Sequence, residues 1–285
     1  MIIDRLAVVG VGLIGGSFAM ALRQAGVVGS VVGIDANRDN LLVARSRGII
    51  DDIAEDLCSG VTDADVVFVA TPVCTIADLV RDMVPGLKSG AIVTDGGSVK
   101  GSLVERCESV LPSGYHFVGG HPIAGTEHSG AAAAFPDLFR GKRCVLTPGD
   151  TTDPHALATV SRLWAAAGAA VCAMETGHHD RIFAEISHLP HAIAYTLVHA
   201  VGTADVEGEN VLSYTAGGFR DFTRIASSDP VMWRDIALMN RAALLSSIDG
   251  FSASLAELRR RIDGNDHEGL TEFFTTAKKF RDGIL

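Results

Sequence analysis

Apolar and polar positions along this 285-residue chain fall into two regimes. Up to about residue 173, short uninterrupted apolar runs alternate with stretches of helical spacing. From Thr176 onward the runs stop, and apolar residues recur every three or four positions to the end. The runs are RLAVV (5–9), VVGI (31–34), VVFVATP (66–72), AIVTDGGS (91–98), HFVGGHP (116–122), RCVLTPG (143–149) and AAVCAM (169–174). Consecutive apolar side chains imply strands buried on both faces, the habit of a parallel sheet covered by helices. Segments 15–25, 38–47, 76–84, 99–110 and 154–167 read as those helices. The pattern predicts an α/β, doubly wound parallel sheet over residues 1–173 and an all-α domain over 174–285.

In the second region Asp229 before Pro230 has the form of a helix N-cap followed by proline at the first helical position. Behind it Trp233, Ile236, Met239, Leu245, Ile248, Phe251, Leu255 and Leu258 keep helical spacing. This predicts one helix to Ile262, on the order of 50 Å long. One small domain hardly covers so long an apolar helix, so packing against a second copy, a homodimer, is expected. A hydrophobic content of 47% and a mean hydropathy of +0.27 point the same way.

Charge narrows the partners. Twenty-four basic against 34 acidic residues leave a formal charge of −10, which argues against nucleic-acid or anionic-membrane surfaces and makes any cationic pocket local. The five cysteines lack C-x-x-C spacing, so neither a disulfide framework nor a zinc ribbon is suggested. No run reaches the roughly 18 apolar residues of a membrane span, and the N-terminus lacks a basic leader region, so a cytoplasmic protein is expected.

The first strand runs into Gly10, Gly12 and Gly15 of GVGLIGGS. In this G-x-G-x-x-G the first glycine allows the tight turn, the second lets backbone approach a pyrophosphate, and the third lets the following helix pack on its strand. Leu13 and Ile14 complete the loop. The VVGI strand ends in Asp35, twenty residues beyond Gly15, where a carboxylate accepts from ribose hydroxyls and repels a 2′-phosphate. A Rossmann-type domain that binds NAD in preference to NADP is expected, with Arg38 the residue that would favour the phosphate. Thr71 and Pro72, ending the VVFVATP run, are further candidates for the cofactor edge.

Thr71, Ser98 and His121 all follow strands, so a parallel sheet brings them to the edge where ligands bind. His121, in GGHPIAGTEHSG (119–130), is thereby a candidate proton acceptor. In ISHLPHAIAY (186–195) His188 and His191 lie three apart around a proline expected to kink the helix. No third and fourth ligands fit them, so no metal site is expected. His178 and His179 of GHHD read as solvated first-turn residues. Arg220 and Arg224, four apart in GGFRDFTRIASSDP (217–230), suit an acidic substrate through guanidinium forks, or a surface ion pair in the case of Arg220. Glu127 either orients a cation or begins a helix. Thr126 beside it and Asp221 beside Arg220 are counted with the substrate pocket.

Taken together, GVGLIGGS, DGGSVK, GGHPIAGTE, SHLPH and GFRDFTRIASSDPxMWRD resemble the prephenate/arogenate (cyclohexadienyl) dehydrogenase family of tyrosine biosynthesis, over nearly all of the chain. The resemblance implies a nicotinamide domain, a helical dimerisation domain and oxidative decarboxylation of a cyclohexadienyl acid. That acid is prephenate, giving 4-hydroxyphenylpyruvate, or arogenate, giving tyrosine. It also implies His121 as the catalytic base toward the ring hydroxyl, with Ser98 bonding the same hydroxyl and positioning the nicotinamide. Arg224 would hold a substrate carboxylate, His191 would meet the side-chain end, and Glu127 would sit at the pocket mouth. Neither a chorismate mutase segment before Met1 nor a regulatory domain after Leu285 is expected, so any feedback by tyrosine is expected at the active site. Two other readings stand beside this one. A β-hydroxyacid or 6-phosphogluconate-type dehydrogenase would need a lysine on the helical domain, where only Lys278 and Lys279 stand. A non-catalytic NAD-sensing dimer would not need Ser98, His121 and Arg224 together.

Overall fold

The structure is a computed structural model describing residues 1–126 and 128–284. Its strands and helices alternate from the start: β1 (Ile3–Val9), α1 (Leu13–Gln24), β2 (Val28–Ile34), α2 (Arg38–Ser46), β3 (Asp52–Ile53), α3 (Leu57–Val61), β4 (Val66–Val69), α4 (Ile76–Met83), β5 (Ile92–Asp95), α5 (Gly101–Val110), β6 (His116–Pro122), β7 (Arg143–Thr147), α6 (Pro154–Ala166) and β8 (Ala170–Ala173). They build one eight-stranded sheet in the order β3-β2-β1-β4-β5-β6-β7-β8. The order reverses between β1 and β4, which opens a crevice beyond their carboxyl ends.

Period-two geometry explains why apolar runs build this sheet. Leu6 and Val8 of β1, with Val66 and Phe68 of β4, enter one core beside Phe18 and Trp164. Ala7 and Val9, with Val67 and Val69, enter the other beside Ile76, Met83 and Leu103. Aromatic rings lock the first face, with Phe18 4.6 Å from Phe68 and 4.3 Å from Trp164 between centroids.

The sheet departs from the expected pattern at one pairing. β6 and β7 are antiparallel, Gly119 opposite Thr147 and Pro122 opposite Cys144, whereas the other pairs are parallel. Parallel neighbours need a crossover, usually a helix. Between β6 and β7, residues 123–142 form no α-helix among those described, only a short turn of 3₁₀ helix at Ala131–Ala133, and the chain doubles back. The two-residue β3 and the five-residue α3 are too short to carry a periodic signal, and the pattern did not predict them.

Beyond the sheet come α7 (Thr176–Phe183), α8 (Leu189–Gly202), α9 (Gly217–Thr223), α10 (Pro230–Met239), α11 (Arg241–Asp263) and α12 (His267–Asp282). A π-helical turn, Ala184–His188, joins α7 to α8. Pro190 stands in the first turn of α8, where its missing N–H is tolerated, and the widened turn before it is the expected distortion.

The single long helix expected from Pro230 is instead two. It breaks at Asn240 (φ −98, ψ 33), whose buried side chain donates to the Asp180 carbonyl oxygen at 2.8 Å and meets His188 Nδ1 at 3.0 Å. These long-range bonds outweigh the local preference to continue the helix. α10 also sends Ile236 into the second core of the sheet domain, and Asp235 accepts from the Cys74 thiol at 2.8 Å. Among the described residues, no helix is long and apolar enough to cross a membrane.

Candidate active site

The crevice between β1 and β4 is shaped by glycines. Gly10 has φ +91, and a Cβ there would lie 2.6 Å from the Ala70 carbonyl oxygen just beyond β4. A Cβ on Gly15 would collide with the Gly10 carbonyl, so the tight packing of α1 on β1 requires glycine. Gly12 differs, since a Cβ there would meet nothing within 4 Å. It is the N-cap of α1 and supplies no side-chain capping bond. The first-turn amides around Leu13 and Ile14 therefore face an open side with the positive helix end behind them, as an anionic pyrophosphate requires.

Asp35 follows β2 at the rim of this crevice. Its Oδ2 accepts from Val11 N at 3.0 Å and Asn40 Nδ2 at 3.0 Å, and its Oδ1 from Asn37 N at 2.9 Å. A carboxylate offers about four acceptor sites, so one remains at Oδ1, enough for a single ribose hydroxyl. Asn37 caps α2, which leaves the Asp35 carboxylate to the crevice, and Arg38 is exposed. Thr71 accepts from the Thr75 hydroxyl at 2.9 Å, and Pro72 begins the turn into α4. These features fit a dinucleotide.

His121, near the end of β6, is 8% exposed. Its Nδ1 lies 2.8 Å from His179 Nε2, and His179 Nδ1 lies 2.8 Å from Asp180 Oδ1. Phe183 packs on both imidazoles, with centroids 4.6 and 4.4 Å away. Burial, with the nearby charge of Lys100, holds His121 well below the ordinary histidine range. The ring is therefore neutral at physiological pH and available to accept a proton. Burial likewise lowers His179, against the pull of its bond to Asp180. Asp180 stays below the usual carboxylate range. Burial opposes its charge, but bonds from His179, Lys100 N (2.9 Å) and Gly101 N (2.8 Å) outweigh it.

The first-turn pair was expected to be solvated. His178 is exposed, but His179 is fully buried against His121. The signal that would have found it is the i, i+4 spacing of His179 and Phe183, which puts both on the buried face of α7. Lys100 of DGGSVK was also missed. It is fully buried and ion-paired with buried Asp95, which also accepts from Gly97 N at 2.7 Å and Gly120 N at 3.0 Å. Ser98, partly buried at the end of β5, makes no hydrogen bond to another described residue. The neighbouring carboxyl ends of β4, β5 and β6 bring Thr71, Ser98 and His121 to one edge.

From the helical region, His191 stacks on Trp233, with centroids 3.6 Å apart and planes at 20°. Its Nδ1 donates to the Ser187 carbonyl oxygen at 2.9 Å. Burial, and then the nearby charge of Arg224, lowers its pKa. A neutral His191 therefore presents Nε2 as an acceptor, and it recognises a carboxylate only when protonated. The Tyr195 hydroxyl donates to the Ser228 carbonyl at 2.6 Å, tying the turn that carries exposed Arg224 to α8. Arg220 donates to the Thr215 carbonyl at 3.2 Å and enters no ion pair with another described residue. Asp221 is exposed, and Thr126, also exposed, accepts from His128 N at 3.2 Å. Glu127 lies outside the described residues.

His188 is a buried neutral histidine, pushed down to about 4 by burial. Among the described residues no group of three or more His, Cys, Asp or Glu could hold a metal. Lys278 and Lys279 are exposed near the end of α12, so no helical-domain lysine serves the site as the hydroxyacid-dehydrogenase reading needs.

Comparison with known proteins agrees with this layout. Residues 18–173 match the family model described as prephenate dehydrogenase, nucleotide-binding domain, and residues 175–276 match prephenate dehydrogenase, dimerization domain. The prephenate dehydrogenase of Bacillus subtilis (strain 168) is 39% identical over 282 residues, 99% of this chain and 76% of that one. The cyclohexadienyl dehydrogenase of Zymomonas mobilis is 36% identical, covering 98% of this chain and 96% of its own length. The crystal structure of prephenate dehydrogenase from A. aeolicus, in complex with hydroxyphenyl propionate and NAD+, superposes with a TM-score of 0.94 at 40% identity, covering 99% of this chain and 98% of that one.

Proposed function

Since this chain belongs to the prephenate dehydrogenase family, we propose how its own residues carry out NAD-dependent oxidative decarboxylation of prephenate, or of arogenate, in tyrosine biosynthesis. The observation that carries the reading is His121: a buried, neutral imidazole at the carboxyl edge of the sheet, held by a second histidine. NAD, when bound, takes the hydride from the ring carbon that bears the hydroxyl. The loop of Gly10, Gly12, Leu13, Ile14 and Gly15 holds the pyrophosphate, Asp35 accepts from the ribose, and Thr71 and Pro72 border the nicotinamide end.

His121 takes the ring hydroxyl proton, which builds carbonyl character at that carbon while the ring carboxylate leaves as CO₂. General-base help of this kind supplies roughly 10²- to 10⁴-fold. Orientation of the substrate supplies much of the rest. Ser98 bonds the same hydroxyl. Arg224 holds the side-chain carboxylate, His191 meets the same end of the side chain, and Thr126 and Asp221 belong to the substrate pocket. Initial rates with prephenate and arogenate, each crossed against NAD and NADP, test the reading. NAD is expected to give the higher kcat/KM, and a preference for NADP would overturn the role given to Asp35.

Arg224→Ala should raise the KM for prephenate about 10-fold or more with little change in kcat, because a charge-assisted contact is made in both ground and transition states. Arg224→Lys should rescue it poorly, since an ammonium lacks the planar fork. A substrate KM unchanged in folded Arg224→Ala protein would remove the arginine from the pocket.

The C-terminal region matches a dimerization domain, and the homodimer is our reading of its surface. α12 buries no residue within its own chain, and α11 buries Leu244 and Ser247. Leu245, Phe251, Leu255, Ile262, Phe274 and Phe280 are exposed. Such a surface marks an interaction site. Sedimentation at micromolar concentration should give twice the chain mass, and a fully active monomer would overturn the assignment. All five cysteines are unpaired, with Cys107 and Cys144 buried, which fits the reducing environment of the cytoplasm.

A further inference from the structure

The product of this reaction keeps its ring oxygen as a phenol, so the proton taken from the hydroxyl is borrowed and must return. A base that borrows a proton needs two things: a bare nitrogen facing the substrate, and a place to hold positive charge for the life of the intermediate.

Both follow from the hydrogen-bond chain behind His121. An ionised Asp180 can only accept, so the hydrogen between it and His179 sits on His179 Nδ1 (2.8 Å). Neutral His179 then has a bare Nε2, which can only accept from His121 Nδ1 (2.8 Å). His121 is therefore the Nδ1–H tautomer, and its lone pair is on Nε2. Two backbone amides, Lys100 N and Gly101 N, hold the Asp180 carboxylate at the start of α5. We propose that His179 and Asp180 are positioning residues that keep Nε2 of His121 bare for the substrate hydroxyl and share the positive charge while the proton is held. This rests on His121 being the base.

The other groups around the pair leave that charge to Asp180. Lys100, beside α5, is ion-paired with Asp95 of β5. His188 of the π turn is neutral, pushed down to about 4. The Cys144 thiol of β7 is pushed up by burial and stays protonated. Phe183 closes the pair from α7. Because His121 comes from the sheet and His179 from α7, the base acquires its tautomer only when the helical region docks.

The test compares His179→Phe, which removes the acceptor, with His179→Gln, whose amide oxygen can still accept from His121 but cannot share a proton. NAD binding, read by fluorescence, checks folding. His179→Phe should lower kcat about 10²-fold with a near-normal prephenate KM. It should also move the acidic limb of the kcat profile about one pH unit lower, since the imidazolium loses its acceptor and its path to Asp180. His179→Gln should lie between wild type and His179→Phe. Nitrogen-15 chemical shifts should show His121 protonated on Nδ1 in the wild type.

An acidic limb that stays in place in His179→Phe would reduce His179 to a packing residue. A limb that moves upward would mean that the two imidazoles repel instead of sharing charge. Either result, or full kcat in both variants, overturns the proposal and leaves the base assignment of His121 standing. That assignment has its own test in His121→Asn.

Discussion

His121→Asn is expected to lower kcat by about 10²-fold or more while NAD binding survives. Asparagine keeps a polar group of similar reach and can accept a hydrogen bond, but it cannot take a proton at neutral pH. The wild-type profile should show an acidic limb, because a protonated His121 has no lone pair left on Nε2. Burial places that limb well below the ordinary histidine value of about 6.5. As pH falls through the lowered pKa the base is lost, and above it the rate is level. The variant should lack the limb altogether. Near-normal kcat together with a retained limb in His121→Asn would send the search to His188 or His191.

The largest expected loss of stability comes from Lys100→Met. Lys100 and Asp95 are both fully buried and paired, so removing the ammonium strands a carboxylate in the interior with two amide donors, Gly97 N and Gly120 N. Breaking a buried pair from one side costs about 3–5 kcal/mol, because the remaining charge is uncompensated. Denaturant titration at fixed protein concentration should show an unfolding free energy lowered by that amount, read as a lower midpoint at unchanged slope. Replacing both partners with apolar residues would not restore wild-type stability, since the two glycine amides would lose their acceptor. A Lys100→Met midpoint equal to wild type would mean that the pair contributes nothing. Asp95 links the end of β5 to Gly120, the residue before His121, so activity should fall along with stability.

Much of the architecture was legible because its signals are local. Unbroken apolar runs at residues 5–9 and 66–72 read as strands buried on both faces, and Leu6 and Ala7 indeed enter opposite cores. The clash that demands glycine at position 15 is with the Gly10 carbonyl and is local, whereas the close approach at Gly10 is to Ala70 beyond β4 and appears only once the sheet has formed. The edge shared by Thr71, Ser98 and His121 followed from parallel strand order alone. The antiparallel return of β7 was not legible, because direction depends on whether the connection crosses the sheet, and residues 123–142 are apolar and polar in no helical period. The break at Asn240 was hidden for a related reason. Helical spacing continues through it, and the bonds that stop the helix come from Asp180 and His188.

The sequence by itself determined the longer strands and helices of the sheet region, where the nucleotide loop lies, and which histidine leaves a strand at the ligand-binding edge. Each of these depends on neighbours within a turn or two of the chain. Only the tertiary structure decided that His179, 58 residues from His121, is its partner, that Asp180 sets the tautomer of both, and that Lys100 is a buried ion and not a surface charge. A titratable side chain reads the same in sequence whether it faces water or another ring. Its tautomer, charge and proton affinity are set by desolvation and by hydrogen bonds from distant segments, and these exist only once the sheet and the helices have docked.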